Sequence, residues 1–228
     1  MHAKRRRRSV LDEAYDSLKK SIVDGVYPPG QRLRALRVAQ QLKISRTPVK
    51  EALARLEQEG LVRREPGSGY IVRGLSVGEI LNLYRVRELL EIEVVREAVP
   101  KMAAEALAKM GAALDYADEL LAQKRYAEFL RANRTFHNLI TAQTGNSVLQ
   151  EVLGNLSGRF WSIGTIVVSR HPQRAQDIRR ENRAIFEALI GGDLKTVEET
   201  VRAHVHGAAD AVRVFIERET QHLFIVAA

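Results

Sequence analysis

The sequence contains no cysteine among its 228 residues, so the chain forms no disulfide bond and offers no thiolate to a metal ion. It also lacks any apolar run of the roughly 18 residues that a membrane-spanning helix requires. Its opening stretch, MHAKRRRRSVLDEAYD, has no apolar segment of the kind that a secretion signal carries. We therefore expect a cytoplasmic protein with no membrane partner.

Positive charge is what the chain has in excess. The formal net charge is +8 and the sequence pI is about 9.9, a balance that favours polyanionic partners. Five consecutive basic residues, 4–8, precede the first helical pattern. They form either a solubilising arm or an arm that lies along DNA phosphates. Hydrophobic residues make up 45% of the chain, which is enough for a packed core and excludes a wholly disordered protein.

The first region, residues 1–75, has the pattern of three helices followed by a β-hairpin. One helical pattern runs from Val10 to Gly25, and a second covers about Ala35–Leu42. The third lies in SRTPVKEALARLEQEGLV, residues 45–62. Two β-prone segments, Leu61–Arg64 and Tyr70–Arg73, then flank a PGSG turn. This order predicts a winged helix-turn-helix domain over residues 1–75.

The third helix carries two cations on its outward face. Thr47 with Pro48 gives a favourable N-cap and first turn, with Ser45 as the alternative cap. Arg46 and Lys50 lie together at the N-terminal end, where positive charge opposes the helix dipole. In a recognition helix, Arg or Lys at such positions reads guanine, and Ser or Thr binds phosphate. The alternative is a solvated surface helix.

The hairpin and the third helix together resemble a known domain. Arg64 and Arg73 flank a glycine-rich tip that lets the backbone approach a groove wall, although an ordinary charged hairpin is the alternative. VDGVYPPGQRL, ISRTPVKEALARLEQEGLV and PGSGYIV resemble the DNA-binding domain of the GntR family of bacterial transcription regulators. The resemblance implies that Arg46 and Lys50 contact bases and phosphates, and that Gly69 lies in a wing that reaches the minor groove.

The second region, residues 76–228, has the pattern of an all-α antiparallel helical bundle. Asn133 and His137 lie four residues apart in the inward register of one helix, and Asn182 and His204 take inward positions on later helices. Burying one unpaired polar group costs on the order of 1–3 kcal/mol, so these residues predict a shared polar site. The six helices start near Ser76, Pro100, Lys124, Asn146, Pro172 and Asp193, with a further break at Gly111.

Two interpretations of the polar site stay open. His137 and His204, with the oxygen of Asn133, can hold a divalent metal and leave positions open for a ligand. Alternatively, each histidine is a hydrogen-bonded core residue. Arg87 also faces inward, with Glu91 one turn further. It is either a clamp for a small carboxylate effector or half of an internal ion pair with Glu91.

The bundle resembles a known domain as well. LYRVRELLE, NRTFHNLITAQTGN and GGDLKTVEETVRAH resemble the FCD ligand-binding domain of the FadR-type branch of GntR regulators. The resemblance implies one divalent metal ion (Zn, Ni or Mn) held by Asn133, His137 and His204. Asn182 stands where a middle histidine is usual. This implies weaker metal binding and an effector recognised more by Arg87, Asn133 and Asn182.

These features predict a homodimeric transcription regulator, a repressor that binds a near-palindromic double-stranded DNA operator. A small organic acid in the bundle would favour one placement of the DNA-binding domains and so change operator affinity. The alternative is an architectural DNA-binding protein with a purely structural bundle. Because the sequence has no nucleophile motif, phosphate loop or general base beside the His/Asn cluster, we do not expect an enzyme.

Overall fold

The computed structural model describes residues 9–23, 26–67, 69–73, 75–218 and 225–226. The basic run at residues 4–8 and the predicted helix stop at residues 24–25 lie outside this part of the chain. No helix among the described residues is long and apolar enough to cross a membrane.

The described residues form two compact units, one of residues 9–76 with 225–226 and one of residues 77–218. Residues 225–226 thus group with the first unit and not with the bundle domain 76–228 that the sequence predicts. The reason is local pairing, because Ile225 and Val226 form a short parallel strand against Leu75 and Ser76.

The first unit contains three helices and a small sheet. The elements are α1 (Val10–Val23), β1 (Arg32–Leu33), α2 (Ala35–Leu42), α3 (Arg46–Gln58), β2 (Val62–Glu65), β3 (Gly69–Val72) and β4 (Leu75–Ser76). The antiparallel sheet has the order β1-β3-β2. On β3, Tyr70 pairs with Leu33 on one side and Arg64 on the other. This is the predicted winged helix-turn-helix, with a third strand added to the predicted hairpin.

Helix α3 begins at Arg46, so Ser45 is its N-cap and the predicted cap at Thr47 is wrong. The backbone of Ser45 is extended, with φ −69° and ψ 163°, as N-cap residues are. Pro48 fits as the third helical residue because first-turn N–H groups have no acceptor within the helix. The helix ends at Gln58, and Gly60 follows with a φ of 70°, which is the predicted stop.

A buried polar network joins α1 to the C-terminal end of α3. The hydroxyl of Tyr15 donates to Oε1 of Glu59 over 2.5 Å, and Nζ of Lys19 donates to Oε2 of Glu59 over 2.7 Å. Burial, followed by the Glu59 carboxylate, raises the pKa of the Tyr15 phenol, so the phenol keeps its proton and continues to donate. Lys19 is therefore neutralised inside the unit.

Residues 77–218 form an all-α bundle of six helices, as predicted. The helices are α4 (Val77–Ala98), α5 (Ala104–Ala122), α6 (Tyr126–Thr141), α7 (Ser147–Arg170), α8 (Gln173–Gly191) and α9 (Leu194–Arg218), with a 3-10 turn at Val99–Lys101. Phe136 and Met110 are fully buried in one hydrophobic cluster, and Phe129 lies in a second. Connections such as residues 123–125 are short, which favours antiparallel neighbours.

Helix α5 continues through Gly111, so the predicted break there is wrong. A Cβ atom at this position would lie 3.1 Å from Cζ of Phe186 on α8. The glycine costs helix propensity of about 1 kcal/mol relative to alanine, and the close packing of α5 against the Phe186 ring accounts for it. The residue is a packing glycine and not a helix breaker.

Candidate functional site

The first unit has a cleft between the N-terminal half of α3 and the turn of the β2–β3 hairpin. Four of the six predicted DNA-binding residues line it: Arg46, Lys50, Arg64 and Gly69. The other two, Ser45 and Thr47, are exposed at the start of α3 but do not line the cleft. The cleft therefore combines the recognition helix and the wing in one surface.

Several cations of this cleft are not neutralised by the protein. Arg46 and Lys50 are exposed, and no carboxylate in the described part of the chain forms an ion pair with either. Arg34, which the sequence analysis missed, also lines the cleft without such a partner. Its position immediately before α2 of a helix-turn-helix is the signal that was available. Arg64 differs, because its Nη2 donates to the Tyr70 hydroxyl over 3.1 Å.

Gly69 is required by the backbone of the wing itself. Its φ is +93°, and a Cβ atom there would lie 2.9 Å from the carbonyl oxygen of Leu33. Both observations exclude a larger residue. The structure thus explains this glycine by the pairing of β1 with β3, whether or not the wing contacts a minor groove.

The second unit contains a partly open cavity of about 400 Å³, bounded by α4 and α6–α9. Tyr84, Phe160 and Trp161 contribute aromatic walls, and most other lining side chains are apolar. A volume of this size suits a small-molecule ligand. The predicted residues that line it are Arg87, Asn133, His137 and His204, whereas Asn182 is fully buried behind the lining.

Arg87 is held by two neighbours at one side of the cavity. Its Nε donates to Oε1 of Glu91 over 2.6 Å, and its Nη2 donates to Nε2 of His204 over 3.1 Å. Since arginine only donates, Nε2 of His204 is the unprotonated nitrogen. Burial lowers the pKa of His204, which agrees with a neutral ring. The internal Arg87–Glu91 pair, one of the two interpretations of the sequence, is therefore formed.

A second ion pair completes this network from α8. Nδ1 of His204 donates to Oε2 of Glu181 over 2.9 Å, and Nη2 of Arg174 donates to the same oxygen over 2.8 Å. Burial opposes the charge of Glu181, but hydrogen bonds from His204 and Arg174 lower its pKa to about 2. The sequence patterns predict neither residue, because the spacing on α8 does not show that Glu181 bonds to His204 on α9.

The two asparagines and His137 lie beside this network. Nδ2 of Asn182 donates to Oδ1 of Asn133, and the rings of His137 and His204 stack with centroids 4.9 Å apart. Burial lowers the pKa of His137 to about 3. Its Nε2, like Oδ1 of Asn182, is buried without a hydrogen-bond partner among the described residues. Because His137 lines the cavity whereas Asn182 does not, Nε2 of His137 is the atom that favours a ligand with a polar group.

The predicted metal ligands do not fit a metal ion in this arrangement. Both ring nitrogens of His204 are engaged, one as acceptor from Arg87 and one as donor to Glu181, so the ring has no free lone pair. Oδ1 of Asn133 keeps a second lone pair beside the hydrogen bond from Asn182, so His204 is the predicted ligand that does not fit. Among the described residues, no group of three or more His, Cys, Asp or Glu side chains is placed to hold a metal.

Arg134 is a cavity residue that the sequence patterns do not predict. Arg134 lines the cavity, and its Nη2 donates to Oγ of Ser157 over 2.8 Å. The available signal was its helical spacing with Asn138 and Thr141, four and seven residues further, which line the same cavity. The inward register of α6 was predicted from its apolar residues alone, and this excluded Arg134.

Both units match families of known proteins. Residues 11–72 match the family described as bacterial regulatory proteins, gntR family, and residues 82–207 match the FCD domain. The chain is 26% identical to the uncharacterized HTH-type transcriptional regulator YdhC of Bacillus subtilis (strain 168), over 89% of this chain and 91% of YdhC. It is 24% identical to the HTH-type transcriptional repressor RspR of Escherichia coli (strain K12), over 90% of this chain and 89% of RspR.

The fold is also that of a solved structure. Escherichia coli McbR/YncC superimposes with a TM-score of 0.71 at 21% identity, covering 91% of this chain and 99% of that chain. The FCD match extends over more than half of the sequence and coincides with the bundle, and the other match coincides with the winged helix-turn-helix. The chain therefore belongs to the GntR family of bacterial transcription regulators, in the group that combines the GntR DNA-binding domain with an FCD domain.

Proposed function

We propose that this regulator is a repressor whose operator affinity is controlled by a small organic acid bound in the bundle cavity. The observation that carries the proposal is the cavity itself, which places three arginine side chains among aromatic walls. A purely structural bundle has no use for such a space, because empty volume and buried charge both cost stability. The relative RspR, named as a repressor, supports the direction of regulation.

DNA recognition would use the cations that the first unit leaves unpaired. Arg46 and Lys50 at the start of α3 would enter the major groove, with Ser45 and Thr47 on phosphates. Arg64 would act from the wing. A homodimer would present two such helices to the half-sites of a near-palindromic operator.

Effector control would follow from differential binding. The dimer would have two arrangements that differ in DNA affinity. The acid changes operator affinity only if it binds one of these arrangements more tightly than the other. Arg87, Asn133 and Asn182 were predicted to recognise it. Since Arg87 and Asn133 are already engaged with protein partners, they would shape the site more than neutralise the ligand.

A metal cofactor (Zn, Ni or Mn) stays a prediction and takes no part in the proposal. To ligate a metal, His204 would have to exchange the hydrogen bond from Arg87 for the ion. Elemental analysis of the purified protein, followed by titration with each divalent ion, tests this. A tightly bound stoichiometric ion would show that the network rearranges around it.

The proposed function is tested with DNA and ligands together. Operator sequences are selected from a random duplex pool with the purified chain, and mobility shifts are then measured with and without a panel of small carboxylates. We expect one sequence family to be enriched and at least one acid to weaken its binding. Unselective binding that no acid affects would favour the architectural alternative.

A further inference from the structure

Three arginines line the bundle cavity, and the protein neutralises two of them. Nε of Arg87 lies 2.6 Å from Oε1 of Glu91, and Nη2 of Arg174 lies 2.8 Å from Oε2 of Glu181. The third, Arg134, forms no ion pair with any carboxylate in the described part of the chain. The three arginines are therefore matched by two carboxylates, Glu91 in the lining and Glu181 outside it, and one guanidinium is left over.

Ser157 holds the Arg134 guanidinium without neutralising it. The Ser157 hydroxyl donates to the carbonyl oxygen of Gly154 over 2.7 Å, so its oxygen is free to accept from Nη2 of Arg134. A guanidinium has five N–H donors in a planar fork, and this contact uses one of them. The remaining donors can bind a carboxylate in the bidentate manner typical of arginine.

Arg87 is less suited to this task. Its charge is compensated by Glu91, and its guanidinium lies 5.0 Å from the ring centroid of Phe160. It also donates to His204. A ligand carboxylate that bound there would have to break an existing pair or bring excess negative charge beside Glu91.

We infer that Arg134, positioned by Ser157, is the anchor for the carboxylate of the effector, and that the effector is a monocarboxylic acid with an apolar or aromatic body. This inference rests on the proposed function. One guanidinium without a carboxylate partner is neutralised by a ligand with one negative charge. A phosphate monoester has a negative charge of between about 1.5 and 2 at neutral pH, which is more than this site neutralises. The aromatic walls formed by Tyr84, Phe160 and Trp161 suit the apolar body.

The chain has a single tryptophan, and it is the cavity residue Trp161, so intrinsic fluorescence reports on this site. The full-length protein is titrated with benzoate, phenylacetate, cyclohexanecarboxylate and octanoate. The corresponding amides are titrated as uncharged controls. Phthalate and phenyl phosphate are titrated as ligands with more negative charge than a monocarboxylate. We expect the monocarboxylates to bind and the amides to bind at least about tenfold more weakly, because a charge-assisted pair is lost.

Variants assign the anchor. Arg134→Gln is expected to weaken monocarboxylate binding at least about tenfold, and Arg134→Lys to restore part of it as a point charge. Arg131→Gln is the matched control, because Arg131 is exposed on the same helix and does not line the cavity. Circular dichroism melting shows that each variant is folded, and Ser157→Ala gives a second, milder perturbation of the same anchor.

Several outcomes overturn the inference. One is wild-type affinity in Arg134→Gln, and another is phthalate or phenyl phosphate binding more tightly than every monocarboxylate. A third is the absence of any carboxylate-dependent change in Trp161 fluorescence. Mobility shifts separate this inference from the proposed function. Acids that bind through Arg134 but leave DNA affinity unchanged refute effector control alone, whereas DNA release that persists in Arg134→Gln refutes the anchor alone.

Discussion

The cleft of the winged domain and the cavity of the bundle treat their cations in opposite ways. In the cleft, Arg46 and Lys50 are exposed and have no carboxylate partner among the described residues. In the cavity, Arg87 is 8% exposed and paired with Glu91, and Arg174 is 8% exposed and paired with Glu181. Arg134 is the cavity arginine that resembles the cations of the cleft.

The physical reason for the difference is the surrounding dielectric. A cation in water keeps its hydration, so leaving it unpaired costs little and preserves it for a polyanion such as DNA. A cation in a poorly hydrated cavity loses that hydration and needs a nearby negative charge. An arginine without a carboxylate partner therefore has a different role in the cleft and in the cavity. We infer a surface for phosphate in the cleft and the position of a ligand charge in the cavity.

The largest expected effect comes from breaking a pair in the cavity. Glu91→Gln leaves the buried Arg87 without a counter-charge, and we expect it to lower the free energy of unfolding of the bundle by about 3 kcal/mol. Urea unfolding followed by Trp161 fluorescence measures this. The control is Glu105→Gln, which removes an exposed pair with Lys109 and should cost less than about 0.5 kcal/mol. Equal losses in the two variants would contradict the comparison.

An intermediate effect is expected on DNA. Arg46→Ala should lower the affinity for a selected operator by about 10- to 100-fold, because a bidentate base contact is lost. The unfolding free energy should change by less than about 0.5 kcal/mol, since Arg46 forms no ion pair among the described residues and its charge only opposes the dipole of α3. Arg131→Ala in the bundle serves as the control in the same mobility-shift assay. Operator preference that survives Arg46→Ala would show that α3 is not the reading helix.

The smallest expected effect is a change in salt dependence. Lys50→Ala should reduce the slope of log affinity against log salt concentration by about 1, because one fewer counterion is released. Filter-binding measurements at several salt concentrations give the slope. Lys109→Ala, which removes a cation paired with Glu105, should leave it unchanged. A shift in the Lys109 variant would mean that pairing does not decide which cations meet DNA.

Much of the fold could be predicted because it depends on patterns among residues close in sequence. The three N-terminal helices and the hairpin follow from apolar periodicity and from breakers such as Gly60. The two errors have different causes, one local and one not. Thr47 was preferred as N-cap because Pro48 favours the first helical position, yet a proline is tolerated throughout the first turn. The sequence predicts a break at Gly111 because close packing against another helix has no signature in the neighbouring residues.

The site was predictable only in part. Periodicity placed Arg87, His137 and His204 inward, and all three line the cavity. Their partners were not predictable, because the bond from Arg87 to His204 joins residues 117 positions apart. Glu181, one residue before the predicted Asn182, was overlooked for the same reason. Its role depends on α9, which no spacing on α8 reveals. Arg134 was missed because an arginine beside an apolar stripe is normally solvated.

The contact of Gly111 with Phe186 has a consequence for how this bundle can vary among relatives. A methyl group at position 111 would press on the ring of Phe186 at 3.1 Å, so the two positions are not free to change independently. We expect them to vary together, with alanine or serine at 111 accompanied by a shorter side chain at 186. Paired substitutions at the two positions would then keep the distance between α5 and α8 in related proteins, even where neither residue is the same.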